Sequence, residues 1–214
     1  MPENFYHVSL KLGGQRCLVV GGGAVAERKV KSLLECRAKV TVVSPELVQG
    51  LSERVAKGEL LHKNRGFEPH DLDGMLLVIA ATDDEELNAR VAELCRKRGI
   101  PVNVVDNPEL STFFVPASLR RGPICISVST GGASPLMARR IREYLESQLG
   151  PELGELAVIL GALREQMKKR FPEQEQRQRE WEKLLPEKVI EQLDEKKLKS
   201  FRKLVEECIL WQSE

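Results

Sequence analysis

Residues 16–30, RCLVVGGGAVAERKV, decide the fold. The run Cys17–Val20 reads as a buried strand, and Ala26, Val30, Leu33 and Leu34 then recur at the i, i+4, i+7 and i+8 spacing of one helical face. Between them stands Gly21-Gly22-Gly23-Ala24-Val25-Ala26, which satisfies G-x-G-x-x-A at a strand-to-helix turn. Gly21 permits the tight turn, Gly23 lets backbone approach a pyrophosphate, and Ala26 is small enough for close packing of helix on sheet. The N-terminus of that helix offers N–H groups and the positive end of its dipole to an anion. A dinucleotide is therefore the expected ligand, held by the Gly21-Gly22-Gly23 loop.

Working outward, the apolar runs KVTVV (39–43), LLVIAA (76–81), IPVNVV (100–105) and ICISV (124–128) are further strand candidates. A helix is predicted over 84–98, with Leu87, Val91 and Leu94 on one face and Gly99 as its stop. Strands alternating with helices from Arg16 to about Ile126 are the signature of an α/β, Rossmann-type doubly wound parallel sheet. In such a sheet the second strand usually ends on an acid that binds the adenosine ribose, whereas here VTVV runs into Ser44-Pro45-Glu46. Glu46 is placed to reach the ribose and Ser44 to donate a weaker bond. No arginine follows directly to clamp a 2′-phosphate, so NAD is favoured over NADP.

Ligands of doubly wound sheets bind beyond the carboxyl ends of the strands, and the residue that follows IPVNVV is Asp106. A carboxylate there can act as general base, taking a proton from a substrate as hydride leaves to a nicotinamide. Asp106-Asn107-Pro108 also reads as a turn in which the aspartate caps backbone N–H groups. Spacing alone leaves both readings open.

The 214 residues carry a formal charge of +1, with 42% hydrophobic and 30% charged side chains, which excludes an acidic disordered chain and a strongly basic nucleic-acid coat. Cys17, Cys36, Cys95, Cys125 and Cys208 are widely spaced with no C-x-x-C pair, so reduced thiols and a cytoplasmic location are expected. No basic n-region with an apolar run opens the chain, and no stretch approaches the roughly 20 apolar residues of a membrane span. His7, His62 and His70 are scattered, so no resident metal site is expected.

Three regions are predicted: a dinucleotide-binding domain over 1–115, a small dimerisation and substrate-binding region over 116–150, and a helical C-terminal domain over 151–214. The last 64 residues hold 27 charged side chains and no glycine after Gly161, with Pro172 and Pro186 as breaks between helices. A dimerisation or lid role is expected there.

From Pro116 to Arg142 there is no Asp or Glu, yet Arg120, Arg121, Arg139, Arg140 and Arg142 fall within it. Arginine forks bind carboxylates and phosphates bidentately, so a polyanionic small molecule suits this stretch. It also contains Ser129-Thr130-Gly131-Gly132-Ala133-Ser134-Pro135, where Ser134 caps and Pro135 opens a helix with Met137, Ile141, Tyr144 and Leu145 on its apolar face. The glycines and capping N–H groups make a second candidate anion site; the competing reading is a surface helix with solvated arginines. With only 5% aromatic residues and no stacking platform among the arginines, no nucleic-acid partner is expected.

Four segments, GGGAVAERK (21–29), AATDD (80–84), NVVDNPELSTFFVPA (103–117) and SVSTGGASPLMARRIRE (127–143), occur in the order seen in the precorrin-2 dehydrogenase / sirohydrochlorin ferrochelatase family, which the chain resembles from its N-terminus to roughly Phe171. The resemblance implies NAD-dependent oxidation of precorrin-2, a carboxylate-decorated tetrapyrrole, to sirohydrochlorin. It puts the family's essential aspartate on Asp106 and its cofactor contacts on Ala24, Val25, Pro45 and Glu46. Substrate carboxylates are expected on Arg120, Arg121, Arg139, Gly131 and Thr130, the last at the family's hydroxyl position. Many members also insert Fe2+ into sirohydrochlorin with the same aspartate, and members are homodimers with an interlocked central region. Some relatives add a methyltransferase domain, for which this chain has no room, so methylation is expected from another protein. Beyond Phe171 no family motif is matched, and Trp181, Leu184, Leu185, Val189, Leu204, Val205, Ile209 and Leu210 are expected to cover the substrate cleft or pack on a partner chain. The alternative to the enzyme is a regulatory module that senses NAD(H), which would tolerate loss of Asp106.

Overall fold

The computed structural model describes residues 5–191 and 193–210, with the side chains of 195 and 204–210 outside that description, so the expectations for Leu204, Val205, Ile209, Leu210 and Cys208 lie outside it. The chain divides into two compact units, one over Tyr6–Val115 and one from Pro116 onward.

In the first unit β1 (Arg16–Val20), β2 (Lys39–Val43), β3 (Leu61–Lys63), β4 (Leu77–Ala80) and β5 (Val102–Val104) form one parallel sheet in the order β3-β2-β1-β4-β5. Crossovers are made by α1 (Ala24–Glu35), α2 (Gln49–Ala56), a 3-10 turn (Pro69–Leu72) and α3 (Glu85–Lys97). Alternate residues of β1 enter different cores: Cys17 and Val19 pack with Ala26, Val30 and Leu51, while Leu18 and Val20 pack with Val78, Val91 and Val102. Both faces are thus covered, which is why the strands read as continuous apolar runs. Asp84 caps α3 by accepting the Leu87 N–H at 2.9 Å.

Strand order reverses between β1 and β4, the switch point at which doubly wound sheets bind ligands. Val20 lies level with Val43 and Ala80, and Ala80 with Val104, so the loops after β1, β2, β4 and β5 leave the sheet along one edge. α2 and β3 escape sequence reading because both are short and β3, LHK, has no apolar run.

The second unit corrects the place of ICISV. It forms β7 (Ile124–Val128), paired antiparallel with β6 (Ala117–Arg121) in a separate hairpin rather than in the parallel sheet. The two-residue Gly122-Pro123 turn permits this pairing, since antiparallel strands need no helical crossover. Arg120 and Arg121 disguise β6, because they break its apolar pattern. Among the described residues the helices α4 (Pro135–Gln148), α5 (Glu152–Arg170), α6 (Gln174–Leu184) and α7 (Glu195–Leu210) follow. Pro172 and Pro186 stand just beyond the ends of α5 and α6. Leu156, Val189, Leu198 and Phe201 form one small core, and Leu163 and Met167 another against Trp181 and Leu184. On α4 Ser134 caps with Met137 N–H at 3.2 Å and Pro135 opens the helix, but Ala138 is its one buried residue, and Met137 and Tyr144 are 58% and 64% exposed. Among the described residues no helix is long and apolar enough to cross a membrane.

Candidate active site

Along the switch-point edge lies a cavity of about 780 Å³, a size suited to a cofactor. Gly21, Gly22, Gly23, Ala24, Val25, Ser44, Pro45, Glu46 and Asp106 all line it, so the structure brings the candidate cofactor residues and the candidate base together within one unit. The other charged residues lining it are Asp83 and Glu85, and no lysine or arginine does so among the described residues.

The glycines divide the work of the loop. Gly21 has φ +118°, and a side chain there would meet the Ala81 carbonyl oxygen at 2.2 Å. Its N–H donates to the Val43 carbonyl at 3.0 Å, tying the loop to β2. Gly22 lies under the β2–α2 loop, where a Cβ would come within 1.9 Å of the Glu46 carbonyl oxygen. A Cβ on Gly23 would meet nothing within 4 Å. Gly23 is also the N-cap of α1, and no side chain caps that helix, so the first-turn N–H groups are left for a ligand. An open cradle before an uncapped helix fits a pyrophosphate.

Asp106 is exposed and has φ +58°, a left-handed conformation that aspartate tolerates better than most residues at a cost of roughly 1 kcal/mol. The loop around it is pinned from several sides. Asn107 N–H donates to the Val104 carbonyl at 3.3 Å, and Leu110 N–H to Asn107 Oδ1 at 3.2 Å. Ser111 Oγ accepts the Val104 N–H and donates to the Asn107 carbonyl, both at 2.9 Å. The segment is a turn, but its cap is not the expected one: Asn107 Oδ1, rather than the Asp106 carboxylate, supplies the capping oxygen. Lys29, half-buried on α1, has its ammonium pKa lowered by burial and by Arg28, with the charge of Asp106 acting in the opposite direction.

Several supporting residues escape sequence reading. The buried Asn88 donates to the Thr82 carbonyl and accepts from Thr82 Oγ1, each at 2.8 Å, bracing the AATDD loop beside Asp83. Thr112 Oγ1 accepts the Val102 N–H at 2.8 Å and closes the free edge of β5. Both lie within or beside quoted motifs, the one signal that marks them.

In the second unit the candidate substrate residues differ in use. Arg121 is committed to the fold: its Nε donates to the Leu149 carbonyl at 2.8 Å and an Nη to the Glu146 carbonyl at 3.2 Å, tying β6 to the end of α4. Its guanidinium thus has backbone partners within its own unit. Arg139 is exposed on α4 and pairs with Glu143 at 2.8 Å, while Arg142 pairs with Glu146. Glu143 is held below its usual pKa by the hydrogen bond from Arg139 and by the neighbouring arginines. The acid-free stretch is thus answered by two glutamates just beyond it. Arg120 projects from β6 with its side chain exposed. Thr130 Oγ1 accepts the Ser134 N–H at 3.0 Å and donates to the Ser134 carbonyl at 3.1 Å, shaping the loop in which Gly131 has φ +61°.

Comparison with known proteins places these features in context. Residues 8–117 match the family described as "Putative NAD(P)-binding", residues 121–148 the sirohaem biosynthesis protein central region, and residues 152–209 the sirohaem synthase dimerisation region. The chain is 49% identical over 188 residues to a siroheme synthase of Thioalkalivibrio sulfidiphilus, covering 88% of this chain and 38% of that protein. It is 45% identical over 186 residues to a siroheme synthase of Methylobacillus flagellatus, covering 87% and 40% respectively. The chain therefore spans about two fifths of the length of these curated relatives. Among solved structures it is similar to SirC, a precorrin-2 dehydrogenase, with a TM-score of 0.77 and 28% identity over 95% of this chain and 100% of that one.

Proposed function

The chain belongs to the family described as putative NAD(P)-binding, with sirohaem biosynthesis central and dimerisation regions following, and from this premise we propose that it is a precorrin-2 dehydrogenase that oxidises precorrin-2 to sirohydrochlorin with NAD. The observation that carries the reading is that Asp106, on its pinned left-handed turn, lines the same cavity as the Gly21–Val25 loop. NAD, when bound, supplies the hydride acceptor. The first-turn N–H groups of α1 would hold its pyrophosphate, and the Asp106 carboxylate would accept the proton that the substrate loses together with the hydride.

NAD rather than NADP fits the acidic lining, because a 2′-phosphate near Glu46 would be repelled. Arg139, Arg120 and the Thr130–Gly131 loop remain the candidates for the substrate's carboxylates. The exposed apolar side of α4, with Met137, Ile141 and Tyr144, supports a homodimer. Ferrous iron is a second substrate in this reading, with Asp106 accepting the pyrrole protons that its insertion releases.

The test is an anaerobic assay of precorrin-2 with NAD, followed through the sirohydrochlorin spectrum, with ferrous iron added afterwards. NAD-dependent appearance of sirohydrochlorin is the expected result, followed by conversion to siroheme faster than in an enzyme-free control. Conversion at the control rate would restrict the chain to dehydrogenation. NAD binding without any sirohydrochlorin would favour the sensor.

A further inference from the structure

We infer that Ser44 is a positioning residue for cofactor choice: its hydroxyl fixes the turn that presents Glu46 to the cavity, and through that turn it sets the preference for NAD over NADP. The inference rests on the reading of the cavity as an NAD site given above.

Ser44 is 9% exposed, and a buried hydroxyl needs a partner. It donates to the Glu46 carbonyl at 2.7 Å, across Pro45, whose ring fixes φ. The hydrogen that sequence reading assigns to the ribose is therefore already committed within the chain. The backbone of Ser44 is held as well, because His62 Nε2–H donates to its carbonyl at 2.9 Å and its own N–H donates to the Lys63 carbonyl at 3.3 Å.

From the other side the turn rests on the phosphate loop. Val48 N–H donates to the Gly22 carbonyl at 2.9 Å. A Cβ on Gly22 would meet the Glu46 carbonyl oxygen at 1.9 Å and Ser44 Oγ at 2.8 Å, so the glycine leaves room for this one arrangement of the turn. The backbone of Glu46 is thus fixed at both faces, and Glu46 is an exposed residue that lines the cavity. A carboxylate held there accepts hydrogen bonds from a ribose diol and repels a phosphate on the same ribose. Without the Ser44 bond the turn gains freedom and the carboxylate loses its aim.

Calorimetric titration of the full chain with NAD and with NADP separates the possibilities. Wild type should bind NAD more tightly, and Glu46→Gln should narrow the ratio. Ser44→Ala should weaken NAD by about five- to tenfold, the scale of one lost hydrogen bond, while leaving NADP nearly unchanged. Ser44→Thr, which keeps the hydroxyl, should restore the wild-type ratio. Ser44→Cys, a weaker donor of similar size, should fall between and serves if the alanine variant does not fold. Equal weakening of both cofactors by Ser44→Ala, or no change in either, would overturn the inference while the Glu46 reading stands. An unchanged ratio in Glu46→Gln, or a wild type without preference for NAD, would overturn that reading and the inference with it.

Discussion

The unit over Tyr6–Val115 and the unit from Pro116 onward solve the burial of apolar surface differently. In the first, the two helical layers close over both faces of the sheet, and β1, β2 and β4 are buried along nearly their whole length. In the second, the described residues form two small clusters, and α4 keeps Met137 and Tyr144 in solvent. A unit that closes on itself can build a cavity from its own loops. One that leaves an apolar helix face open offers it to another surface, and in the reading proposed above that surface is a second copy of the chain.

The largest effect that would break this contrast is at Gly22. Replacing it with alanine forces a methyl against the Glu46 carbonyl, so NAD affinity in calorimetry should fall by more than about 100-fold. Retained affinity would show that the loop crossing is soft and that the first unit is not preassembled. Next is the α4 face, where Tyr144→Glu should weaken self-association in sedimentation velocity by about 50-fold while leaving NAD affinity unchanged. An undisturbed oligomer would show that the exposed face is not the interface.

A smaller effect sharpens the account of the first unit's stability. Asp71 is buried, and although burial alone would raise its pKa, hydrogen bonds from Arg65, Lys63 and the Glu68 N–H hold it well below the usual carboxylate range. A pKa depressed in the folded state gives stability that is complete above the unfolded value, about 4, and declines as pH falls below it. Asp71→Asn should lower stability in urea by about 1.5 kcal/mol at pH 7, tempered because Lys63 and Arg65 are partly exposed. It should also flatten the loss of stability below pH 4. Parallel acid profiles for the variant and wild type would contradict this.

The same contrast explains what could be read from the sequence. Parallel strands buried on both sides appear as runs such as LVIA, and a glycine loop between such a strand and an amphipathic helix announces its own geometry. Ser134 was legible as a cap because capping acts over three residues, whereas Asp84, read as the first residue of its helix, is the N-cap that precedes it. The Ser44 clamp, the stacking of Gly22 under Glu46 and the bond from Arg121 to Leu149 were not, because each joins segments that only the fold brings together. The hairpin strand β6 was hidden for a local reason, its charged residues. At Asp106 the sequence offered two roles, base and cap, and the turn gives the capping role to Asn107 Oδ1 instead.

The central claim is that Asp106 removes the proton while the glycine loop holds the cofactor. It is tested most directly by Asp106→Asn in the anaerobic precorrin-2 assay, with NAD affinity measured on the same preparation. Sirohydrochlorin formation should fall by about 100- to 10,000-fold, with the dissociation constant for NAD unchanged within about twofold. A rate within about tenfold of wild type would contradict the assignment of Asp106 as the base.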